Sequence, residues 1–568
     1  MEGYVAKGGK KILQLCMGDN YHNPMVVFRE YVQNAVDSIY EAEKQGLIDV
    51  AQDEAITINL NHSIKEVEIS DRGTGVKSSD IGPVLVDVGS SAKNGFDQIG
   101  NYGIGRLVGA NWCDQIIFET SAHGEVIKSI LTFDCEKARN LIAADNDLDF
   151  ISIIGQVTTL STESENLDEH YLRVRLKNAK TQLLDINTVK KYLSLTAPVP
   201  FSHLFFDESI SPVMESCEDF KALLDREKIC ILSLMQDDSI FEIEKPYAPS
   251  IYFEGNNRRM SRPIFFKLSH PDFGQLAWGW YSLREDASQM NDLWYKGIQL
   301  RKLNMAIGSS EYLAEYFPRP VDATYFVGEI YITHPNIQPS GSRDGLKPSV
   351  EQEVFIALLK NKFASLKRYY YNLSKLGSDG FDKLIKTDEA LKLAKITYTQ
   401  EPSEEHKHDV RKAQDADKKA RTALRNWVVK LVKDEEIAPA FTLTLDFWKK
   451  KAKTKTSETN SKQKPGEKLD VLPIEKIVET IKKDLETPQL TPTPVSAPTP
   501  DIDPSQDSNP PATPTYTPIP KETDIFRMLG KSEYTLIKKI YAIINGETRL
   551  DPKTKERLKK KIEKKLLG

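Results

Sequence analysis

One stretch constrains this chain more than any other: NPMVVFREYVQNAVDSIYEAEKQG, residues 23–46. Asn23 suits an N-cap, Pro24 the first helical position and Gly46 the C-terminal stop, so the stretch predicts a single helix. Phe28, Val32, Ala35 and Ile39 recur at steps of four, three and four, an apolar stripe that must pack against a domain. Glu30, Asn34, Asp37 and Glu41 fall on another face. Taken alone, such a polar stripe is more often a solvated face than a site.

The sequence after the helix shifts that balance. Ile56, Ile58 and Leu60 alternate as one strand, Val67 and Ile69 as a second, and the second runs into Asp71-Arg72-Gly73-Thr74-Gly75. A carboxylate at a strand end then stands beside Gly73 and Gly75, which let a ligand approach the backbone. The next stretch, VGSSAKNGFDQIGNYGIGRLVGAN, is rich in small residues, and Gly100, Gly103 and Gly105 open a predicted helix at Arg106 to Ala110. Backbone N–H groups at such a helix start can hold phosphate. A lone glycine pattern is weak, but three elements in this order are not. With FREYVQNAVDSI, ISDRGTGV and IGNYGIGRL as its motifs, the chain resembles the GHKL ATPases (gyrase, heat-shock chaperone, histidine kinase, mismatch repair), whose Bergerat pocket binds ATP.

The resemblance implies a role for each position. Glu30 would be the general base that directs the attacking water, and Asn34 would hold the Mg²⁺ that bridges the phosphates. Asp71 would accept a hydrogen bond from the adenine amino group, with Gly73 and Gly75 leaving room for the base. Lys93 would bind nucleotide from the glycine-rich stretch, and Gly100, Gly103 and Gly105 would wrap the phosphates and hinge a lid. Asp37 reads as structural. Kinases of the family generally lack an acid at the position of Glu30, so its presence favours hydrolysis over phosphotransfer. Related ATPases also carry a Gly-Thr pair on a later strand. Here IIGQVTTL offers Gly155, Thr158 and Thr159, while HYLRVRLKN is a better strand without the pair, and that contact stays open.

A second resemblance lies downstream, in EIYITHPNIQPSGSRDGL. In the heat-shock chaperone branch, a second α/β domain ends a strand with a Ser-Arg-acid loop whose arginine reaches the γ-phosphate. Ser342-Arg343-Asp344 sits at the matching place, and LWYKGIQL resembles an earlier strand of that domain. A planar fork of donors suits a terminal phosphate. The alternative is an ordinary turn of Pro339, Ser340 and Gly341, with Asp344 pairing with Arg343. GLKPS departs from the branch pattern after the acid, which leaves the orientation of Arg343 open.

At 568 residues, 28% charged and 40% hydrophobic, the chain has material for several cores. No run approaches the length of a membrane span, and MEGYVAKGGKKILQL lacks a signal peptide's apolar core. Five cysteines without CxxC pairing give no zinc site and suit reduced thiols in a cytoplasm. A net charge of −5 excludes a wholly basic nucleic-acid binder but not a local basic patch.

The expected fold is an α/β (α+β two-layer sandwich) ATP-binding domain over residues 1–198, followed by a transducer-like α/β domain over 199–348. In the first, QIIFETSAHGEVIKSILTF reads as a hairpin, ISIIGQVTTL and HYLRVRLKN continue the sheet, and Pro198 and Pro200 mark the exit. In the second, His270, His334 and the tryptophans of AWGW read as packing or surface residues. A helical region would span 349–450, where His406 and His408 suit a solvated helix face better than a metal site. Residues 451–522 read as a disordered Lys-, Pro- and Thr-rich linker with 11 prolines between Pro488 and Pro520. Residues 523–568 read as a small helical module, with a charge of +7 from Lys531 onward.

The whole is expected to be an ATP-hydrolysing clamp that uses ATP and Mg²⁺, pairs as a nucleotide-dependent homodimer and remodels a protein client. The alternatives are a microrchidia- or topoisomerase-like nucleic-acid clamp and a non-hydrolysing ATP-dependent scaffold. No motif names the client.

Overall fold

A computed structural model describes residues 9–17, 23–50, 55–87, 105–144, 147–237, 239–253, 255–432, 436–461 and 468–486. Lys93, Gly100 and Gly103, most of the proline-rich segment and the C-terminal module lie outside the described residues. After α1 (Lys10–Cys16), the predicted first helix forms as α2 (Val26–Lys44). The Asn23 side chain accepts from Met25 N–H at 3.0 Å. At the other end Gly46, at φ +72, lets its own N–H reach Glu43 and that of Leu47 reach Ala42, which closes the helix as a Schellman turn. Phe28, Val32, Ala35 and Ile39 are at most 1% exposed. Each fully buried side chain of the Val, Ile or Phe kind contributes about 1.5–3 kcal/mol.

The stripe packs on one face of a sheet whose strand order is β5-β4-β3-β6-β2-β1-β7-β8. The strands are β1 (Ile56–Asn61), β2 (Glu66–Asp71), β3 (Gln115–Ser121), β4 (Ile127–Asp134), β5 (Thr158–Ser164), β6 (Tyr171–Lys177), β7 (Leu232–Gln236) and β8 (Ser239–Glu242). The expected hairpin is β3–β4, antiparallel from Gln115↔Asp134 to Thr120↔Ser129. Alternation along β1 and β2 buries Ile56, Ile58, Leu60, Val67, Ile69 and finally Asp71.

Two expectations change in this region. After α3 (Cys135–Ala143), ISIIGQV is not a strand but most of α4 (Phe150–Val157), started by Asp149, whose carboxylate accepts from Ser152 N–H. A short, continuously apolar run fits a buried helix or a buried strand equally, and the cap decides it. Nor does the chain leave this sheet at residue 198. Past α5 (Ile186–Thr196) and the short helices α6 (His203–Phe205), α7 (Ser211–Ser216) and α8 (Glu218–Leu224) it returns. There β7 pairs in parallel with β1, Ile56 opposite Leu232.

The next strands are β9 (Ser250–Phe253) and β10 (Asn256–Arg259), a two-stranded pair. A five-stranded sheet follows, in the order β11-β12-β15-β13-β14, from β11 (Ile264–His270), β12 (Gly274–Ser282), β13 (Gly297–Lys302), β14 (Met305–Ile307) and β15 (Val327–Ile332). Trp278 and Trp280 of β12 are fully buried, Trp278 stacked on Tyr331 at 4.3 Å, so they are packing residues as expected.

The helices α9 (Val350–Lys375), α10 (Lys383–Gln400), α11 (Glu404–Val432), α12 (Ala438–Ser461) and α13 (Ile474–Glu486) share one core with this sheet. The expected linker therefore does not begin at residue 451. Trp448, Ala452 and Thr456, four apart, bury one stripe of a Lys-rich helix, and Ile474, Val478 and Ile481 bury another. Among the described residues, no group of three or more His, Cys, Asp or Glu could hold a metal, His406 and His408 included. No described helix is long and apolar enough to cross a membrane.

The β13–β14 hairpin carries the five-stranded sheet against the first one. Its turn residues Leu303 and Asn304 both have positive φ, and Met305 sits in the core beneath the eight-stranded sheet. Arg301, fully buried, caps the C-terminal end of α5 by donating to Leu195 O at 2.7 Å and Ala197 O at 3.3 Å, and pairs with Glu329 at 2.5 Å. Lys245 Nζ donates to Glu329 at 2.7 Å, Tyr331 at 2.9 Å and Asn304 at 3.0 Å. Asn304 in turn donates to Lys228 O at 2.7 Å. Burial alone would raise the Glu329 carboxyl, but Arg301 and then Lys245 hold it down to about 2.

Candidate active site

Helical spacing brings Glu30, Gln33, Asn34 and Asp37 to the side of α2 away from its apolar stripe. This is not a solvated face: Glu30 is 9% exposed, Gln33 5% and Asp37 7%, with Asn34 half-buried and only Glu41 in the open. Glu30 looks onto the start of a tight helical turn, Gly105–Asn111, which replaces the predicted helix after the glycine loop. A Cβ on Gly105 would lie 2.6 Å from Glu30 Oε2, so any larger residue there would push the carboxylate aside. The exit of that loop is anchored by Tyr31, whose hydroxyl donates to Arg106 O at 2.9 Å, and by Arg106 Nη1 on Val84 O at 2.8 Å.

Asp71 ends β2 with 4% exposure, and its Oδ1 accepts from Gly73 N–H at 2.9 Å. Gly75, at φ +66, passes so close to β3 that a Cβ would lie 1.8 Å from Ser121 O. Ser38 of α2 accepts from Thr74 N–H at 3.0 Å and ties the two motifs together. At the head of β6, His170 Nδ1 lies 2.8 Å from Gly73 O. Thr158, at the start of β5, lies on the far edge of the sheet from β2, and Gly155 is inside α4.

Arg343 comes to this face from the other sheet. It is 4% exposed in a left-handed conformation, φ +53, and its Nη1 donates to Gln33 Oε1 at 3.4 Å, with Nε 3.4 Å from Ala306 O. Arg343 N–H also closes a turn on Ser340 O at 3.0 Å, the turn that the sequence offers as the alternative. Burial first, and the nearby Arg29 second, draw its guanidinium down to about 10, against the pull of Glu30 and Asp37. Arg29, invisible to the motif reading although it precedes Glu30, donates to Glu30 Oε1 at 3.2 Å and to Ser342 O at 2.7 Å. Lys302, drawn down to about 8 by burial and then by Arg343, donates to His334 O, Pro335 O and Ile337 O at the base of the same loop.

A buried carboxylate, an amide, a second carboxylate beside glycines and an unusually desolvated arginine form a donor set that suits a triphosphate nucleotide. One amide oxygen with no carboxylate cage also fits Mg²⁺, which keeps water and phosphate oxygens as its other ligands. Glu30, Asn34, Asp71, Gly73, Gly75, Gly105 and Arg343 are brought to this region of the fold.

Residues 22–163 match a family described as histidine kinase-, DNA gyrase B- and HSP90-like ATPase. The chaperone protein HtpG of Clostridium perfringens, in strains ATCC 13124 and 13, is 27% identical over 184 residues, 30% of this chain. The chain spans only 29% of the length of those curated relatives.

Proposed function

From the premise that this chain carries a GHKL-type ATPase domain related to HtpG, we propose that it is an ATP-hydrolysing clamp. Asp71 recognises the adenine amino group, with Gly73 and Gly75 making space for the ring. Asn34 holds Mg²⁺, which when bound neutralises phosphate charge. Glu30, oriented by Arg29, takes the proton of the attacking water. Lys93, Gly100, Gly103 and Gly105 bind the phosphates. Arg343 reads the terminal phosphate, so ATP draws the five-stranded sheet toward α2 and its hydrolysis releases it. A protein client and nucleotide-dependent pairing of two copies in a cytoplasm complete the proposal.

The observation that supports this reading most is the buried Arg343 at Gln33, one helical turn from Glu30. The test is Glu30→Ala in the full chain. ATP binding should persist while hydrolysis falls by roughly 10²–10⁴, the usual contribution of a positioned general base. Wild-type turnover in that variant would refute the assignment. Measuring the wild-type rate with protein, DNA and RNA added in turn identifies the client class.

A further inference from the structure

His170 has no part in the motifs, yet it sits where the base-recognition turn most needs support. In the antiparallel pairing of β2 with β6, Asp71 lies opposite Leu172. Continuing that register two residues beyond Asp71 sets Gly73 opposite His170, and the 2.8 Å contact between Nδ1 and Gly73 O closes it. A carbonyl oxygen only accepts, so Nδ1 carries a proton in this contact.

Gly73 and Gly75 flank a single threonine, and glycines lose more conformational freedom on ordering than any other residue. Contacts from outside order the turn: Ser38 of α2 takes Thr74 N–H at 3.0 Å, Thr120 of β3 takes Val76 N–H at 2.9 Å, and His170, just before β6, holds Gly73 O. The His170 clamp is the one in series with the carboxylate, because Gly73 N–H is also the group that orients Asp71 Oδ1.

We propose that His170 is a positioning residue for base recognition: its Nδ1–H···O=C bond to Gly73 locks the turn that aims Asp71 at an exocyclic amino group. This rests on the nucleotide reading above. His170 touches neither the phosphates nor Glu30 in that reading, so its removal acts on affinity and base preference, not on the chemical step.

The test titrates the full chain, as wild type, His170→Ala and His170→Asn, with ATP and with purine riboside triphosphate, which lacks the 6-amino group. A neutral hydrogen bond is worth about 0.5–1.5 kcal/mol net, so His170→Ala should weaken ATP binding about fivefold. Its preference for ATP over the analogue should shrink by the same factor, and the kinetic loss should fall on KM rather than kcat. The Asn side chain places an N–H at the same number of bonds from Cα as Nδ1, so His170→Asn should restore affinity and preference. Wild-type affinity and preference in His170→Ala, or no rescue by Asn, would overturn the proposal. A wild-type chain that binds no ATP would instead overturn the nucleotide reading itself.

Discussion

The five-stranded sheet meets the nucleotide side of the molecule at two places that are built in opposite ways. At the hairpin, Arg301, Lys245, Glu329 and Asn304 satisfy one another and the carbonyl ends of α5, with three of the four residues within 0% to 1% exposure. At α2, Arg343 is 4% exposed and donates to Gln33 and Ala306 at 3.4 Å, and burial leaves its guanidinium depressed. Burial draws the Lys245 ammonium at the hairpin down as well, to about 7, so both places hold a desolvated cation. The difference lies in the counter-charge: the hairpin holds Glu329 against both of its cations, while Arg343 feels Glu30 and Asp37, which do not offset its burial.

The contrast can be broken most directly by Glu329→Gln, which removes the carboxylate that Arg301 and Lys245 share. Breaking a buried pair from one side costs about 3–5 kcal/mol, to be read as a lower denaturant midpoint. An unchanged midpoint would mean that the hairpin is not a joint. Acid sharpens the same point. Because the Glu329 carboxyl is held down to about 2 in the fold, its contribution is fully present above its unfolded value of 4.5 and is lost as pH falls through about 2. That contribution is about 3 kcal/mol, so wild type should lose stability between pH 5 and 2 more steeply than Glu329→Gln. Parallel acid limbs in urea titrations would argue against it.

Arg343→Ala should do less to the fold and more to the response. Loss of a charge-assisted bond worth about 1.5–3 kcal/mol should abolish the compact form seen by small-angle scattering with a non-hydrolysable ATP analogue and lower hydrolysis. ADP affinity should hold, since ADP lacks the terminal phosphate. A variant that still compacts fully and hydrolyses normally would reduce Arg343 to a turn residue. The smallest effect expected is on its stability at neutral pH, where release of a desolvated cation offsets lost packing to within about 1 kcal/mol. A melting temperature lowered as far as that of Glu329→Gln would erase the distinction between the two joints.

Local signals made much of this legible. The caps and stripe of α2, the alternation of β1 and β2, and the turn after Asp71 are all settled within a few residues of themselves, and the chain folds there as the sequence implies. What escaped had weaker or more distant signals. The tilt of ISIIGQV toward helix depends on one aspartate at its start, and the Lys-rich α12 hides its buried stripe behind charge. Arg343 could not be oriented from sequence because its backbone is left-handed, a conformation that non-glycine residues seldom adopt. His170 carried no signal in the three motifs, since only the β2–β6 register brings it to Gly73.

The parallel pairing of β7 with β1 also bears on how the chain becomes a protein. A ribosome that has released residues 1–198 has delivered the helix, the Asp71 turn and the glycine-rich stretch but not the strand β7 that covers β1, so β1 waits as an open edge rich in β-branched residues. Such edges recruit other chains. Folding of this half should therefore lag synthesis by some forty residues, and a fragment cut at residue 198 should aggregate where one cut beyond Glu242, with β7 and β8 included, stays soluble.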